Sequence, residues 1–334
     1  MNAPSASTGP AGLDLSDPAL AQRVAEGLAE VEQQLAAELR SEFDFVTEAA
    51  SHLMAAGGKR FRPLFTLVAA GVGPRPDSPD VVTAAAVVEL VHLATLYHDD
   101  VMDEADIRRG AESANARWDN AVAILAGDFL FARASRLVAG LGPEAVRIIA
   151  DTFAELVTGQ IRETVGPAPG QDPVAHHLTV LNEKTASLID TCARYGGMFS
   201  GAPDADVAAL RRYGRALGVA FQVSDDIIDI ASADSGKTPG TDLREGVRTL
   251  PVLYTLADPD ADPELVGLLA GPIEDDAAVQ RAVRWLRSSP GVARARSTLD
   301  EYAGRARDEL DRIAPSSARD ALAAMTQFVV ERTR

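Results

Sequence analysis

Residues 89–110 read ELVHLATLYHDDVMDEADIRRG, and residues 221–229 read FQVSDDIID. Each stretch contains an apolar helical pattern followed by an aspartate motif DDxxD. The motif aspartates are Asp99, Asp100 and Asp103 in the first stretch and Asp225, Asp226 and Asp229 in the second. Positions i and i+4 share one face of a helix, so the first and last aspartates of each motif point the same way. Two such helices can offer Mg²⁺ the oxygen ligands it prefers, with positions left for phosphate oxygens. The pair of motifs therefore predicts a magnesium–phosphate site.

The composition narrows the classes of protein and partner. The chain has 334 residues, of which 46% are hydrophobic and 24% charged, as is typical of a globular protein with a substantial core. A net charge of −17 argues against nucleic acid as a partner, because its phosphate backbone would be repelled. The negative net charge is still compatible with phosphate ligands, because bound metal ions and nearby Lys or Arg make the local electrostatic potential positive. The single cysteine, Cys192, rules out a disulfide framework and fits a reducing cytoplasm.

The N-terminal residues, MNAPSASTGPAGLDLSD, lack the basic and apolar regions of a signal peptide. We expect residues 1–16 to form a disordered leader. The best apolar stretch, residues 84–97, is interrupted by Glu89 and His92, which is typical of a core helix and not of a membrane span. The sequence therefore predicts a cytoplasmic protein without a transmembrane segment.

Helical patterns run through the rest of the chain, and no stretch shows the sustained alternation of a strand. Asp17 and Pro18 are typical of the cap and first residue of a helix, so we expect the first helix to begin there. Breaks rich in Gly and Pro separate the later helices, at 57–58, 73–79, 140–143, 166–170 and 232–240. No linker divides the chain. We therefore expect an all-α, single-domain bundle of about a dozen helices over residues 17–334.

Cationic motifs lie near the aspartates in sequence. Residues 57–63 read GGKRFRP, in which two glycines permit a tight turn before Pro63. Arg108 and Arg109 follow the first aspartate motif closely. Helix N-termini, Lys and Arg bind phosphate groups well. Each motif alone is also typical of a solvated surface or of simple ion pairs, so the predicted phosphate role depends on their combination.

Further polar residues extend the pattern in the second half. Lys184 and Thr185 lie within a predicted helix, and Gln222 lies three residues before Asp225 on nearly the same face. Lys237 follows Gly236 at the start of a loop that we interpret as a lid over phosphates.

The histidines have different predicted roles. His92 lies seven residues before Asp99, two helical turns away on the same side, which favours a functional role over a structural one. His98, next to the motif, is ambiguous. The remaining histidines are expected to be structural or at the surface: His52, His176 and His177.

In this order the motifs resemble the trans-type polyprenyl diphosphate synthases. The resemblance runs from about Gly57 to Pro251 and includes GGKRFRP, both aspartate stretches, LAGDFLFARAS (125–135), Gly159-Gln160, Lys184-Thr185 and GKTPGTDLREG (236–246). It implies an isoprenoid synthase-like bundle around a deep central cavity, and a homodimer. It also implies a Mg²⁺-dependent prenyltransferase that joins isopentenyl diphosphate head to tail to an allylic diphosphate and releases diphosphate.

The resemblance also implies a role for each motif residue. Three Mg²⁺, with Mn²⁺ as an alternative ion, would be bound by Asp99, Asp103 and Asp225, while Asp100, Asp226 and Asp229 orient ligands or metal-bound water. The allylic diphosphate would be held by Arg108, Lys184 and Lys237. Isopentenyl diphosphate would be held by Lys59, Arg62, His92 and Arg109. The leaving diphosphate must be neutralised and the allylic cation kept from water, so we expect a dry apolar cavity in which Thr185 and Gln222 stabilise the cation.

Product length should follow the depth of the cavity below the first aspartate motif. Ala94 and Thr95 are small where short-product members tend to carry an aromatic residue, and the motif has no insertion. The resemblance thus implies a product of about 30 to 50 carbons, as in a quinone side chain, with Phe153 as the expected floor. Alternatively, Ala94 packs against a neighbouring helix and bulky residues close the cavity early.

One departure from the family pattern is visible. Many members carry Lys after the glycine at the position of Gly246, where this chain has Val247 followed by Arg248. Either Arg248 replaces that lysine or the site has one cation fewer.

Other readings explain less of the sequence. A short-chain geranylgeranyl or farnesyl diphosphate synthase would use the same chemistry. A terpene cyclase usually lacks both the second aspartate motif and GGKRFRP. A non-catalytic partner subunit would be expected to lose motif residues, and a purely structural bundle explains none of the ordered motifs.

Overall fold

The computed structural model describes residues 15–231 and 240–333. Helices dominate these residues, which confirms the all-α prediction. The helices of the first half are α1 (Pro18–Glu38), α2 (Asp44–Ala55), α3 (Phe61–Ala70), α4 (Pro79–Met102), α5 (Ala114–Arg117), α6 (Asn120–Gly140), α7 (Pro143–Val165) and α8 (Pro173–Val180). Those of the second half are α9 (Ser187–Ser200), α10 (Asp204–Ala231), α11 (Thr241–Glu245), α12 (Leu250–Leu256), α13 (Pro263–Leu268), α14 (Asp276–Ser288), α15 (Pro290–Leu310) and α16 (Ser317–Glu331).

The chain divides into two compact units. Unit 1 comprises residues up to 153 together with 191–211 and 312–322, and unit 2 comprises 154–190, 212–311 and the residues from 323 onward. The single domain over residues 17–334 and its deep central cavity stay predictions. The predicted leader falls almost wholly outside the described residues.

Helix α1 begins where the sequence predicts. Asp17 lies in an extended conformation, and its carboxylate accepts a hydrogen bond from the backbone N–H of Ala19 at 2.9 Å, while Pro18 occupies the first helical position. A carboxylate in this place satisfies a backbone donor that has no partner within the helix. Hydrogen bonds from Ser317 and Ala19 lower the pKa of Asp17.

Helix α4 forms the centre of unit 1. It is apolar on all sides, and it packs against α1, α3 and α6, as expected for a helix without a polar face. The buried hydroxyl of Tyr97 ties it to α2, since it donates to the carbonyl of Ala49 at 2.5 Å and accepts from the N–H of Leu53 at 3.2 Å. Among the described helices, α4 alone is long and apolar enough to cross a membrane, but 67% of its apolar window is buried, as in the core helix of a globular protein.

Two local features of the structure were not predicted from the sequence. A small antiparallel hairpin follows α4, formed by β1 (Ile107–Arg108) and β2 (Ala111–Glu112). A π-helical segment, Leu181–Ala186, separates α8 from α9 where one continuous helix was predicted. Both features fall at predicted site residues.

The core of unit 2 is a cluster of aliphatic side chains. It joins the end of α10 to α11, α12, α13, α14 and α15, and includes Ile230, Leu243, Val252, Leu265 and Val283. The cluster begins directly after the second aspartate motif, because Ile230 follows Asp229.

Candidate active site

The first aspartate motif lies at the C-terminal end of α4. Asp100 is fully buried, Asp99 is partly buried, and Asp103 is the exposed residue that follows the helix. The Arg108 guanidinium donates from Nε to Oδ1 of Asp100 at 2.5 Å and lies 3.9 Å from Asp103. Burial raises the pKa of Asp100, and the bond from Arg108 opposes that rise. Its other oxygen, Oδ2, is buried without a hydrogen-bond partner.

The hairpin brings both predicted arginines into the site. Its two-residue loop, Arg109 and Gly110, has φ values of 55° and 76°, as in the tight turns that suit the twist of a hairpin. Arg109 reaches the GGKRFRP loop, where its Nη1 donates to the carbonyls of Gly57 at 2.5 Å and Leu53 at 3.0 Å. A side chain at Gly58 would meet the Arg109 guanidinium at 2.9 Å, so glycine permits this approach.

Arg60 and Arg62 of that loop have different environments. Arg60 pairs with Glu32 at 2.5 Å and lies 3.5 Å from the buried Glu89, so it has a structural role. The Nε of Arg62 is buried with no hydrogen-bond partner, and burial lowers the pKa of its guanidinium. Burial likewise raises the pKa of Glu89. A partly buried cation without a hydrogen bond at Nε is suited to bind an anion.

His92 belongs to the same cluster. Burial lowers its pKa well below 6.5, and the nearby Arg62 and Arg109 lower it further, so the imidazole is neutral at neutral pH. A neutral imidazole can donate one hydrogen bond to a phosphate without adding charge. Lys59 lies exposed on the adjacent loop. Unit 1 therefore brings together the predicted residues Arg62, His92 and Arg109.

The stability of the protein is expected to depend on pH through His92. Its folded-state pKa is lowered, so below about pH 6.5 the unfolded chain binds a proton that the folded chain does not, and stability falls as pH falls. The uptake of one proton can change the free energy of unfolding by at most about 1.4 kcal/mol per pH unit. Urea unfolding between about pH 7.5 and 5 should show a shallower loss for His92→Gln than for the wild type.

The comparison isolates His92, because other titrating groups are common to both proteins. Glu89, whose raised pKa acts in the opposite direction, cancels in the difference. Parallel stability curves for the two proteins would contradict the assignment.

The second aspartate motif, on α10, is held by distant residues of unit 2. Asp226 is buried, and its Oδ2 accepts hydrogen bonds from Nε2 of His177 at 2.9 Å and from the N–H of Leu250 at 3.1 Å. Asp225 is partly exposed and lies 3.0 Å from the guanidinium of Arg332. Burial lowers the pKa of Arg332, which also donates to α10 itself.

Asp229 connects the end of α10 to α11. Its carboxylate accepts from the N–H groups of Thr241 at 3.2 Å and Asp242 at 3.4 Å, and its carbonyl accepts from Gly240 at 2.9 Å. The predicted lid residue Lys237 lies outside the described residues.

Lys184 and Thr185 lie in the π-helical segment. The ammonium group of Lys184 forms an ion pair with Glu163 of α7, and the hydroxyl of Thr185 donates to the side-chain oxygen of Gln222 at 3.4 Å. Such single-turn π segments occur frequently at functional sites. The structure therefore brings two of the predicted catalytic residues, Thr185 and Gln222, into contact.

Glycines at two positions allow the π-helical segment to pack closely against α7 and α10. A Cβ on Gly159 of α7 would lie 2.5 Å from the backbone N of Lys184, and one on Gly218 of α10 would lie 2.7 Å from Cα of Ala186. Backbone atoms cannot move aside as a side chain can, so both positions require glycine.

Gly159→Ala is therefore expected to displace the π segment. We expect a loss of about 1–3 kcal/mol in the free energy of unfolding, together with reduced turnover because Lys184 and Thr185 move. Denaturant unfolding and steady-state kinetics measure the two effects. The matched control is Gly304→Ala in α15, where a Cβ meets nothing within 4 Å and alanine should be neutral or stabilising. Equal behaviour of the two variants would show that the close approach is unimportant.

Comparison with known proteins identifies the family. A family model described as polyprenyl synthetase matches residues 44–286. This chain belongs to the polyprenyl synthetase family. It is 56% identical over 325 residues to a nonaprenyl diphosphate synthase of Mycobacterium tuberculosis, with 96% of this chain and 97% of that protein covered.

Two crystal structures resemble this polyprenyl synthetase over nearly the whole chain. One is geranylgeranyl pyrophosphate synthase from Corynebacterium glutamicum complexed with calcium and isoprenyl diphosphate, with a TM-score of 0.87 and 48% identity over 96% of this chain and 99% of that one. The other is a decaprenyl diphosphate synthase from Rhodobacter capsulatus, with a TM-score of 0.86 and 34% identity over 95% of this chain and 99% of that one. The predicted enzyme class, a prenyltransferase, is confirmed.

Metal dependence belongs to the family, and the residues of this polyprenyl synthetase fit a hard cation. Carboxylate oxygens are the donors that Mg²⁺ prefers, and Oδ2 of Asp100 is buried without a partner beside Asp99. Within residues 15–231 and 240–333, no three His, Cys, Asp or Glu side chains group together to hold an ion. Because Mg²⁺ is commonly held by one or two carboxylates with water and substrate phosphates, these carboxylates suit an ion that binds together with diphosphate.

The predicted length-determining residues lie on packed helices of unit 1. Ala94 is 1% exposed, and its carbonyl would lie 3.1 Å from a Cβ on Gly127, so α4 and α6 approach closely there. The hydroxyl of Thr95 donates to the carbonyl of His92 at 2.8 Å. Phe153 packs against Phe131, with ring centroids 4.2 Å apart. Control of product length by Ala94, Thr95 and Phe153 stays a prediction.

The arginine that follows Val247 has another contact. Val247 is 43% exposed, and Arg248 donates from Nη2 to the carbonyl of Ala270 at 2.8 Å. In this structure Arg248 therefore contacts the backbone of its own unit.

Sequence reasoning missed two residues that hold the second motif. His177 was expected to be structural or at the surface, yet it binds Asp226, and Arg332 was not considered. No local signal marks either residue, because the contact between His177 and Asp226 spans 49 positions.

Proposed function

We propose that this polyprenyl synthetase catalyses the Mg²⁺-dependent, head-to-tail condensation of isopentenyl diphosphate with an allylic diphosphate, forming a medium or long all-trans chain. The observation that carries the proposal is the cluster of unit 1 in which Arg62 and Arg109 lie near His92, which is on the same helix that carries Asp99 at its C-terminal end. An anion site next to a carboxylate motif suits an enzyme that holds one diphosphate while a second one is ionised. A cyclase, with one substrate, needs no such cluster.

The residues divide into two diphosphate sites. Lys59, Arg62, His92 and Arg109 hold the diphosphate of isopentenyl diphosphate, with His92 as a neutral hydrogen-bond donor. Arg108, Lys184 and Lys237 hold the allylic diphosphate. Both arginines have fixed positions in the structure, because Arg108 is bound to Asp100 and Arg109 to the backbone of the GGKRFRP loop.

Asp99, Asp103 and Asp225 would hold the metal ions, and Asp100, Asp226 and Asp229 would orient the ligands or metal-bound water. When bound, about three Mg²⁺ supply the positive charge that stabilises the departing diphosphate. Thr185 and Gln222 present oxygen atoms that stabilise the allylic cation without attacking it. No side-chain base is assigned to the final proton loss, for which the released diphosphate is available within the site.

The product is a chain of about 30 to 50 carbons, as used for a quinone side chain. Support comes from the names of the relatives, a nonaprenyl and a decaprenyl diphosphate synthase, and from the small residues Ala94 and Thr95 before the first motif. The second candidate is a short-chain product, which the similarity to a geranylgeranyl pyrophosphate synthase favours.

Incubation with isopentenyl diphosphate, Mg²⁺ and a panel of allylic primers tests the proposal, with the products identified by mass spectrometry. Elongation to about 30 carbons or more supports the long-chain product, and termination at about 20 carbons or fewer supports the second candidate. The absence of any elongated product with every primer would overturn the condensation itself.

The enzyme is further proposed to act as a cytoplasmic homodimer. Support for the dimer comes from exposed apolar side chains on α6, where Ile124 is 43% and Leu125 is 65% exposed. Sedimentation equilibrium tests the dimer, and a monomeric mass at assay concentrations would exclude it.

A further inference from the structure

The buried carboxylate of Asp226 joins three elements of unit 2. It lies on α10, and its Oδ2 accepts from the Nε2 of His177 on α8 and from the N–H of Leu250, the first residue of α12. An ionised carboxylate can only accept, so Nε2 of the imidazole carries the hydrogen. The side chain of Asp226 is only 5% exposed, and each of its donors is fixed in a separate helix.

Anchoring Asp226 also sets the direction of its neighbours. Asp225 and Asp229 lie on one face of α10, and Asp226 lies about 100° around the helix from Asp225. A helix held at Asp226 by two donors cannot rotate freely about its axis. The partly exposed carboxylates of Asp225 and Asp229 are thereby kept pointing in one direction.

The first motif shows the same arrangement in unit 1. Its middle residue, Asp100, is fully buried and accepts from Arg108 at 2.5 Å, while Asp99 and Asp103 on either side are more exposed. In each motif, therefore, the middle aspartate is the most buried of the three and the outer two are more exposed. Asp225 and Asp229 also have contacts of their own, with Arg332 and with the N–H groups of Thr241 and Asp242.

We propose that His177 is a positioning residue for the metal-binding carboxylates Asp225 and Asp229, acting through Asp226. The inference rests on the proposed function, because it takes those aspartates as metal ligands. His177 makes the only side-chain hydrogen bond to Asp226 that the described residues show, and its own side chain is 16% exposed. Its removal thus takes away a donor from a buried carboxylate while leaving the core of unit 2 in place.

Two variants of His177 separate its hydrogen bond from its bulk. His177→Phe keeps a planar ring without a donor, and His177→Gln restores an N–H group. We expect His177→Phe to raise the half-saturating Mg²⁺ concentration about 10-fold or more, the usual effect of losing a hydrogen bond that orients a metal ligand. The KM for isopentenyl diphosphate should stay within about twofold, because its proposed site lies in unit 1. His177→Gln should recover most of the loss.

A binding measurement gives a second readout that needs no turnover. Mg²⁺ with inorganic diphosphate should raise the thermal unfolding midpoint of the wild type, since a ligand that binds only the folded state stabilises it. His177→Phe should lose most of this increase, and His177→Gln should keep it. The matched control is His176→Phe, on the same helix, because His176 has no hydrogen bond to the aspartates among the described residues.

The outcomes distinguish the two proposals. An unchanged Mg²⁺ dependence and an unchanged thermal response in His177→Phe would overturn the positioning role, as would an equal effect of His176→Phe. A wild type that binds Mg²⁺ and diphosphate but condenses no substrate would overturn the proposed function, and the thermal response would still decide the role of His177.

Discussion

Asp225→Ala is expected to lower turnover by more than about 100-fold for every primer and product length, because the proposed function makes Asp225 a metal ligand whose loss leaves the departing diphosphate without full neutralisation. Asp99→Ala should have the same effect in the first motif. The fold should survive the change at Asp225, which is partly exposed. Its partner Arg332 keeps hydrogen bonds to Ser224 and Phe221, each at 2.7 Å, and a cation–π contact with the Phe221 ring. Incorporation of isopentenyl diphosphate measures the loss.

Chelation should reproduce the effect of these substitutions. EDTA should abolish activity in the wild type, and added Mg²⁺ should restore it in the wild type but not in the variants at assay concentrations. Asp151→Ala is the matched control, because the Asp151 side chain is 73% exposed on α7 and belongs to neither motif. Its activity should stay within about twofold of the wild type. Substantial turnover by Asp225→Ala would contradict the assignment of Asp225 as a metal ligand.

Ala94→Phe is expected to shorten the product by several isoprene units while the first condensation continues. The phenyl ring would occupy part of the cavity that is predicted below the first aspartate motif. It would leave the carboxylates at the end of α4 unchanged. Mass spectrometry of the product ladder measures the shift. Because Ala94 is 1% exposed and α6 approaches it closely, the ring also introduces crowding that costs about 1–3 kcal/mol, so thermal melting must accompany the assay.

The alternative reading of Ala94 predicts a different result. If its side chain only packs against a neighbouring helix, Ala94→Phe lowers the melting temperature and the amount of product without changing the ladder. That outcome would exclude Ala94 from length control. The same substitution at the exposed Ala154 of α7 should leave both the stability and the ladder unchanged.

Much of the fold could be predicted from local patterns. Asp17 and Pro18 mark the start of α1, because a cap and a first-turn proline act within a few residues of the helix they begin. The hairpin escaped prediction because its strands have two residues each, too few for any alternation to be visible. The π segment escaped because its stability depends on Gly159 and Gly218, which belong to other helices.

The properties of the candidate site likewise divide into those that local sequence patterns predict and those that they do not. The identities of its chemical groups could be predicted, since carboxylates at i, i+1 and i+4 and clustered Lys and Arg signal metal and phosphate binding wherever they occur. Their protonation could not. The lowered pKa of His92 and the raised pKa of Asp100 result first from burial, which depends on what packs around each side chain.

The amino-acid sequence alone is enough to predict that the chain is helical, that it carries two aspartate motifs, and that it resembles a family of prenyl-transferring enzymes. These properties follow from short periodic stretches and fixed spacings between residues. The burial of Asp100 and Asp226, and the greater exposure of the other motif aspartates, depend instead on tertiary packing. His177 reaches Asp226 across 49 residues and Arg332 reaches Ser224 across 108, and contacts at such separations form only when packing brings the helices together.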